Sequence, residues 1–450
     1  METVLFATHA LLPEGWAKNV RLTFSSSGKI KAISVAAKAQ ASDERTEILV
    51  PGMANLHCHA FQRAMAGLAE RAGPGDDSFW TWRETMYQIA ENIDPEALSA
   101  IAAMAYMDML ESGFTSVGEF HYIHHAPDGT PYDNPAEMAT QVIEAAAQTG
   151  IGQTLLPVFY AQGGFEGGAL SPRQKRFGHA LDSFVALMSA LQTQYPQTQL
   201  GIAPHSLRAA SPEQLTALIN AFPQGPVHIH IAEQTREVKD CRQHLGAPPV
   251  RWLLDHMDVD ERWCLVHATH MDDYEIRDLA RSGAVAGLCP ITEANLGDGF
   301  FPARKFLQQN GRFGIGSDSC VRIDLAEELR LLDYGQRLQS QSRTPLAHPH
   351  ASSGRTLFDQ ALKGGAQALA QKSGALAVGM RADMVTLDMT HPALATRTGD
   401  LWLDGWLYGA GRSPVRDVYA KGKKVVENGC HGARESIENA FIAILKRVLA

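Results

Sequence analysis

The pattern of apolar and polar residues along the chain changes twice, near residues 50 and 375. Short apolar runs separated by turn residues occupy residues 1–50 and 375–430, which is typical of a small sheet. Between them, over residues 51–374, strand-like runs alternate with stretches of helical period, which indicates a parallel sheet. We therefore predict a small β-sandwich domain built from both chain ends, a central α/β domain, and a C-terminal helix over residues 431–450.

The central segment contains eight strand-like runs, with helical stretches between them. The predicted strands cover residues 54–59, 115–119, 153–158, 200–204, 227–231, 264–268, 284–288 and 313–316. The predicted helices include residues 95–112, 135–149, 177–194, 212–221, 272–282 and 325–338. Eight strands with helices between them predict a (β/α)8 barrel of the TIM type, although an open doubly wound sheet shows the same local pattern. In the flanking domain, the strands expected after the barrel cover residues 383–387, 401–406, 415–419 and 423–427.

Charge and cysteine usage exclude several classes of protein. The net charge of −9 argues against a nucleic-acid binder, and no apolar run reaches membrane-spanning length. The six cysteines are scattered and form no Cys-x-x-Cys pair, as expected for free thiols in a reducing compartment. We expect a cytoplasmic protein, and a homodimer on the frequency of such assemblies alone.

Ligand-type side chains stand at the ends of six predicted strands, where barrel enzymes place their active sites. They are His57 and His59, Glu119 and His121, His205 and Arg208, His228, His230 and Glu233, His267 and His270, and Asp318. One such residue alone is ordinarily a buried structural group. Six strand ends carrying them together predict an active site.

The segment ending in His57-x-His59 places two imidazoles on one face of a strand. With His230 and Asp318 they offer three nitrogens and an oxygen, a set suited to one zinc ion with a position left for water. We expect one Zn²⁺ per subunit, although the same donors also accept iron, manganese or cobalt.

These residues resemble the amidohydrolase superfamily of metal-dependent barrel hydrolases. The resemblance rests on Pro51-Gly52 leading into His57-x-His59, then on His230, His267 and Asp318, and on the flanking segments 379–385 and 418–423. Glu233, three residues after His230, resembles the arrangement in the one-metal deaminases of the superfamily. The fourth strand ends in 203–205 and lacks the lysine that two-metal members carboxylate.

Within the superfamily, five segments resemble the enzymes that convert N-formimino-L-glutamate to N-formyl-L-glutamate and ammonia in histidine degradation. They are 57–63, 79–84, 118–122, 204–208 and 290–299. The resemblance implies a substrate-binding set of Gln62, Arg83, Tyr122, His205 and Arg208. The substrate is a dicarboxylate, and each arginine could take one carboxylate through paired hydrogen bonds. Alternatively, Arg83 is a solvated charge near a tryptophan-rich loop and Arg208 a helix-end charge.

The expected reaction is metal-dependent hydrolysis of a carbon–nitrogen bond in a linear amidine. Glu233 carries a proton from the attacking water to the leaving amine, Asp318 shares that proton, and His267 hydrogen-bonds the tetrahedral centre. One alternative is a deaminase of a purine or another aminated heterocycle, similar to guanine deaminase. Another is a metal-binding barrel without catalysis, against which Glu233 argues because no structural metal site requires it.

Overall fold

The computed structural model describes residues 2–71, 79–349 and 351–450. The strands of these residues are β1 (Thr3–Leu12), β2 (Gly15–Phe24), β3 (Ile30–Ser34), β4 (Glu44–Pro51), β5 (Met53–Cys58), β6 (Phe114–His121), β7 (Gly152–Phe159), β8 (Gln199–Leu200), β9 (Ala203–Pro204), β10 (Val227–Ile231), β11 (Trp263–His267), β12 (Val285–Leu288), β13 (Arg312–Ile315), β14 (Met384–Leu387), β15 (Val415–Ala420), β16 (Lys423–Glu427) and β17 (Cys430–His431). The α-helices are α1 (Phe79–Ala90), α2 (Pro95–Ser112), α3 (Glu137–Thr149), α4 (Leu181–Gln194), α5 (Pro212–Ala221), α6 (Thr235–Leu245), α7 (Pro249–His256), α8 (Asp273–Ser282), α9 (Pro290–Leu296), α10 (Ala303–Gln308), α11 (Leu325–Ser340), α12 (Ser353–Ala368), α13 (Asp400–Asp404) and α14 (Arg434–Val448).

The strands from β5 to β13 close into a parallel barrel. Neighbouring strands pair in chain order, and β8 and β9 both pair with β7 as one interrupted fourth strand. A bridge from Ile202 to Val227 joins β10 to this fourth strand, and a bridge from Cys58 to Asp318 joins the last strand to the first. The structure therefore confirms the predicted barrel and excludes the alternative, an open doubly wound sheet.

Polar caps explain where several barrel helices begin. The Asp94 side chain accepts a hydrogen bond from Ala97 N at the start of α2, whose first residue is a proline. Ser211 and Asp272 each form a capping box with the residue three positions on, at α5 and α8. The helix predicted to begin at residue 177 begins at Leu181, because Pro172–Phe177 form a separate 3₁₀ turn.

Both ends of the chain contribute to one further sheet, with strand order β17-β16-β15-β14-β4-β1-β2-β3. Alternate residues of its strands face opposite sides. Ile48 and Val385 join the main core against the barrel, whereas Leu5, Leu49 and Met384 belong to a second core on the other face. The β-rich unit built from both termini is thus confirmed, with its strands in one hydrogen-bonded sheet. The domain limits at residues 50 and 375 stay a prediction.

The predicted strand at residues 401–406 is wrong. Helix α13 and a π-helical turn, Gly405–Gly409, occupy this stretch. Trp402, Leu403, Trp406 and Leu407 are buried while Leu401 is 55% exposed, which is a helical spacing of apolar residues. A short apolar run does not distinguish a strand from a buried helix, and here the helical period decides.

The predicted C-terminal helix is confirmed as α14. Ile437, Ile444 and Val448 are buried, and Phe441 and Leu445 pack against the same core. Asn92 Nδ2 donates to Val448 O across 3.0 Å, which fixes the end of α14 near α2.

Helix α12 crosses the barrel strands so closely that glycine is required at residue 364. A Cβ on Gly364 would overlap the carbonyl oxygen of Phe313 and lie 2.8 Å from Gly314 N. We expect Gly364→Ala to lower the free energy of unfolding by about 1–3 kcal/mol, the usual cost of overpacking, although alanine is the better helix former. Denaturant unfolding measures this. A Cβ on Gly411 meets open space, so Gly411→Ala is the control, and equal stability of the two variants would contradict the assignment.

Candidate active site

Three imidazoles meet at the carboxyl ends of β5 and β10. The Nε2 atoms of His57 and His59 lie 3.2 Å apart, and His230 Nε2 lies 3.2 Å from His59 Nε2 and 3.1 Å from His57 Nε2. All three side chains are buried. The three nitrogens therefore form a nearly equilateral triangle.

Two of these imidazoles have their tautomer set by a backbone carbonyl. His59 Nδ1 donates to Phe120 O at 2.9 Å, and His230 Nδ1 donates to His205 O at 3.1 Å. Since a carbonyl only accepts, the proton is on Nδ1 and Nε2 presents a lone pair to the triangle. Burial lowers the pKa of His57 to about 3 and that of His230 well below its usual value. Neutral imidazoles with converging lone pairs need a cation between them.

Asp318, which follows β13, completes the donor set. Its Oδ1 lies 3.4 Å from His57 Nε2 and 3.2 Å from His59 Nε2. Tetrahedral ligands with zinc–nitrogen bonds of about 2.0–2.1 Å are separated by about 3.3 Å, which agrees with these distances. Together, the side chains of His57, His59, His230 and Asp318 form a buried group able to hold one divalent ion, which we call the metal-ligand group.

His267, at the end of β11, is held from both sides by carboxylates. Its Nδ1 lies 3.2 Å from Glu293 Oε1, and its Nε2 lies 3.9 Å from Glu233 Oε1 and 3.7 Å from Asp318 Oδ2. Burial opposes its charged form, but the three carboxylates outweigh burial and raise the pKa of His267 well above its usual value. The imidazole is therefore a hydrogen-bond donor toward the cleft.

Glu233 lies in the turn after β10, close to the ligand group. Its backbone N donates to Glu237 Oε2 at 3.0 Å, which anchors the turn. Burial raises the pKa of the Glu233 carboxyl to about 7. A carboxyl with that pKa can take up and release a proton near neutral pH.

A cleft opens above these groups, and every residue predicted to bind substrate lines it. Its predicted residues are His59, Gln62, Arg83, Tyr122, His205, Arg208, His230, Glu233, His267 and Asp318. Gln62 Nε2 donates to Tyr122 OH at 2.7 Å, while Gln62 Oε1 is buried without a partner. The structure thus brings the predicted residues together, and their individual roles stay predictions.

Two guanidinium groups line this cleft from α1 and from the segment before α5. Arg83 Cζ lies 4.6 Å and Arg208 Cζ 5.8 Å from the centre of the Trp80 indole ring. The Nε of each arginine is buried without a hydrogen-bond partner. Among the described residues, the ion pairs of the cleft involve His267 and the metal-ligand group, and none involves either arginine. The cleft wall therefore offers two cations to an anionic ligand.

Comparison with known proteins agrees with this geometry. A model of the Amidohydrolase family matches residues 48–425. The chain belongs to the amidohydrolase family. A second model, for the N-terminal domain of formimidoylglutamate deiminase HutF, matches residues 2–47. Formimidoylglutamate deiminase of Pseudomonas aeruginosa is 49% identical over 451 residues, covering 99% of this chain and 100% of that protein.

Other similar proteins have either about half or about a quarter of their residues identical to this amidohydrolase. A crystal structure of an amidohydrolase from Brucella melitensis has a TM-score of 0.95 and 50% identity, with all of both chains covered. An adenosine deaminase from Xanthomonas campestris with bound zinc has a TM-score of 0.81 at 22% identity, covering 99% of this chain and 98% of that one, which shows the fold alone. A 5-methylthioadenosine/S-adenosylhomocysteine deaminase of Natronomonas pharaonis is 26% identical over 414 residues, covering 90% of this chain and 88% of that protein.

Among the described residues, no helix is long and apolar enough to cross a lipid bilayer.

Two buried acids of this amidohydrolase were not singled out by sequence reasoning. Glu293 orients His267, and the Asp298 side chain accepts a hydrogen bond from Gln234 Nε2, next to Glu233. Burial, followed by the charge of Glu233, raises the pKa of Asp298 to about 9. Both acids lie in segment 290–299, which closely follows the seventh barrel strand. Because barrel active sites lie after the strand ends, this position could have marked both acids as candidates. His228 lies outside the metal-ligand group, and its Nε2 is 2.8 Å from Ala368 O, as in a buried structural histidine.

Proposed function

We propose that this protein is a zinc-dependent formimidoylglutamate deiminase, which hydrolyses N-formimino-L-glutamate to N-formyl-L-glutamate and ammonia in histidine degradation. The observation that carries the proposal is the pair Arg83 and Arg208, two cations without described ion pairs, in a cleft that three of the four residues of the metal-ligand group also line. The relative of that name, 49% identical over its full length, supports the same substrate.

Substrate orientation follows from the polar groups of the cleft. Arg83 and Arg208 each bind one carboxylate, which leaves the formimidoyl end of the molecule near Glu233 and His267. Gln62 Oε1, a buried acceptor without a partner, is suited to an N–H of the formimidoyl group. Tyr122 and His205 complete the wall around this end. An unpaired buried acceptor is costly, so the bound N–H contributes to affinity and orientation.

His57, His59, His230 and Asp318 would hold the zinc ion. Bound there, the ion supplies Lewis acidity, lowering the pKa of water so that hydroxide is available near neutral pH. Glu233 accepts a proton from the attacking water and delivers it to the departing nitrogen, and Asp318 shares the proton in transit. His267 donates a hydrogen bond to the oxygen that adds to the carbon. Water adds to the formimidoyl carbon, the bond to the terminal nitrogen breaks, and that nitrogen leaves as ammonia.

We place one zinc ion in each subunit and a homodimer in the cytoplasm. The four donors of the metal-ligand group support a single ion, the six free thiols support a reducing compartment, and the homodimer rests on the frequency of such assemblies alone. Elemental analysis gives the metal and its stoichiometry, and sedimentation equilibrium gives the assembly.

The substrate assignment is tested by ammonia release from N-formimino-L-glutamate, guanine and cytosine. We expect kcat/KM for N-formimino-L-glutamate to exceed the other two by far, because neither base has a carboxylate to pair with the arginines. A preference for guanine would replace the proposal with deamination of an aminated heterocycle.

Truncating either arginine should reduce recognition of the dicarboxylate. Loss of one partner from a buried charge pair costs about 2–5 kcal/mol, so kcat/KM should fall about thirtyfold or more in Arg83→Met and in Arg208→Met. Steady-state kinetics with N-formimino-L-glutamate and with a small formamidine measure this. The formamidine lacks carboxylates, and its hydrolysis should hardly change.

Arg236 provides a matched control for both variants. Its Cζ lies 4.7 Å from the centre of the same Trp80 ring, but the side chain lines an adjoining pocket and not the cleft that contains Glu233 and His267. Arg236→Met should therefore leave kcat/KM close to that of the wild type. If Arg83→Met and Arg208→Met slow both substrates equally, the arginines support the fold and do not recognise carboxylates.

A further inference from the structure

A second group of potential metal ligands lies beside the first. The side chains of His267, Cys289 and Asp318 are all buried, and one donor atom from each lies within 4.8 Å of the other two. Cys289 directly follows β12 and begins the turn into α9, so its thiol comes from a strand that supplies nothing to the first group. Nothing in the proposed reaction uses this thiol.

The two oxygens of Asp318 are divided between the two groups. Oδ1 lies against the imidazoles of His57 and His59, at 3.4 and 3.2 Å, whereas Oδ2 lies 3.7 Å from His267 Nε2. A carboxylate in this position can serve two ions at once, and two-metal sites hold their ions about 3.5–4 Å apart. Asp318 Oδ2 therefore faces the second group and is available to a second ion.

His267 is oriented as a metal ligand would be. Its Nδ1 is held by Glu293 Oε1 at 3.2 Å, so Nε2 is the nitrogen left to face Asp318. Histidine ligands of metals generally have this arrangement, in which a carboxylate fixes the far nitrogen. Imidazole and thiolate donors together select zinc, cobalt and similar soft divalent ions over magnesium or calcium.

We propose that a second soft divalent cation binds to His267, Cys289 and Asp318 and inhibits the enzyme. Binding displaces the thiol proton of Cys289 and any proton on His267 Nε2 into solvent, and forms bonds to sulfur, nitrogen and Oδ2. The cation thereby removes the His267 donor and the Asp318 oxygen from the reaction. The inhibition rests on the proposed function, whereas the binding does not depend on the substrate.

Cobalt added to the enzyme already loaded with one equivalent of zinc tests both parts. A thiolate bound to cobalt gives a charge-transfer absorption, and the first ligand group contains no sulfur, so cobalt exchanged into it gives none. We expect the wild type to gain this band as activity falls at least tenfold. A chelator that removes only the added cobalt should reverse both changes.

When cobalt is added, Cys289→Ala should show no charge-transfer band, and its activity should stay at the value measured for the same variant before the addition. Cys264→Ala is the matched control, since Cys264 is a buried cysteine of β11 in the same small core as Cys289, and its replacement should leave the band and the inhibition intact. Cys289→Ser repeats the test with a residue of similar volume.

Absence of the band in the wild type would overturn the proposed site. Equal inhibition of the Cys289 variants would place the inhibitory ion elsewhere, and a band without inhibition would overturn the inhibitory role. Because the band is read without substrate, failure of the substrate assignment would leave this part of the test unaffected.

Discussion

The Glu233→Gln variant is expected to keep its metal and to turn over at least about a hundredfold more slowly than the wild type. That factor is the low end of what a positioned general acid and base contributes. Glutamine retains the size of the side chain and some of its hydrogen bonding, but it cannot accept the proton of the attacking water. Measurement of kcat with N-formimino-L-glutamate, together with elemental analysis of the same preparation, separates lost proton transfer from lost metal.

The position and environment of Glu233 account for this expectation. Its Oε1 lies 3.9 Å from His267 Nε2, and burial raises its pKa to about 7. The carboxyl can therefore take a proton from water and lose it to a departing amine without a large free-energy penalty in either direction. An ordinary exposed glutamate would be a much weaker base toward water.

Glu237 supplies the control for this variant. It is a buried glutamate one helical turn away, and its Oε2 accepts a hydrogen bond from Glu233 N, but it does not line the cleft. Glu237→Gln keeps an acceptor oxygen for that bond, so we expect a much smaller effect on kcat. Near-normal turnover of metal-loaded Glu233→Gln would remove Glu233 from the proton path.

Much of the barrel could be predicted because its signals are local. Buried parallel strands appear as short apolar runs, and the capped helices between them begin with recognisable polar residues. The proximity of the candidate metal ligands could be predicted because a barrel gathers its strand ends at one face, so that His57, His230 and Asp318 are neighbours despite their separation in sequence.

The rest of the site depends on tertiary contacts that no local pattern encodes. Glu293 looks like an ordinary helix residue until the structure shows its carboxylate against His267. Asp298 follows a helix and looks like a turn residue, but it is buried beside Gln234. The helix at residues 400–404 was missed for a related reason, since burial of Trp402 against His9 and Trp16 is a long-range contact.

His230→Ala is expected to fold and to lose its metal. His230 supplies one of the three Nε2 atoms, 3.1 and 3.2 Å from the other two, and alanine leaves two imidazoles and a carboxylate. Loss of an outer hydrogen-bond partner of a metal ligand already weakens affinity about 10–100-fold, so loss of the ligand itself should weaken it by at least about a hundredfold. Elemental analysis after dialysis should show a largely metal-free protein, with activity lost to the same extent.

His228→Ala distinguishes loss of a ligand from loss of a buried imidazole. His228 lies two residues earlier on β10, on the same face of the strand, and is fully buried with its Nε2 2.8 Å from Ala368 O. Both substitutions remove an imidazole from the barrel interior and should destabilise the fold to a similar extent in denaturant unfolding. Only His230→Ala should lose metal, because only its Nε2 lies in the ligand triangle. Full metal occupancy in His230→Ala would exclude His230 from the ligand set, and equal loss of metal in both variants would mean that barrel packing, and not coordination by His230, retains the ion.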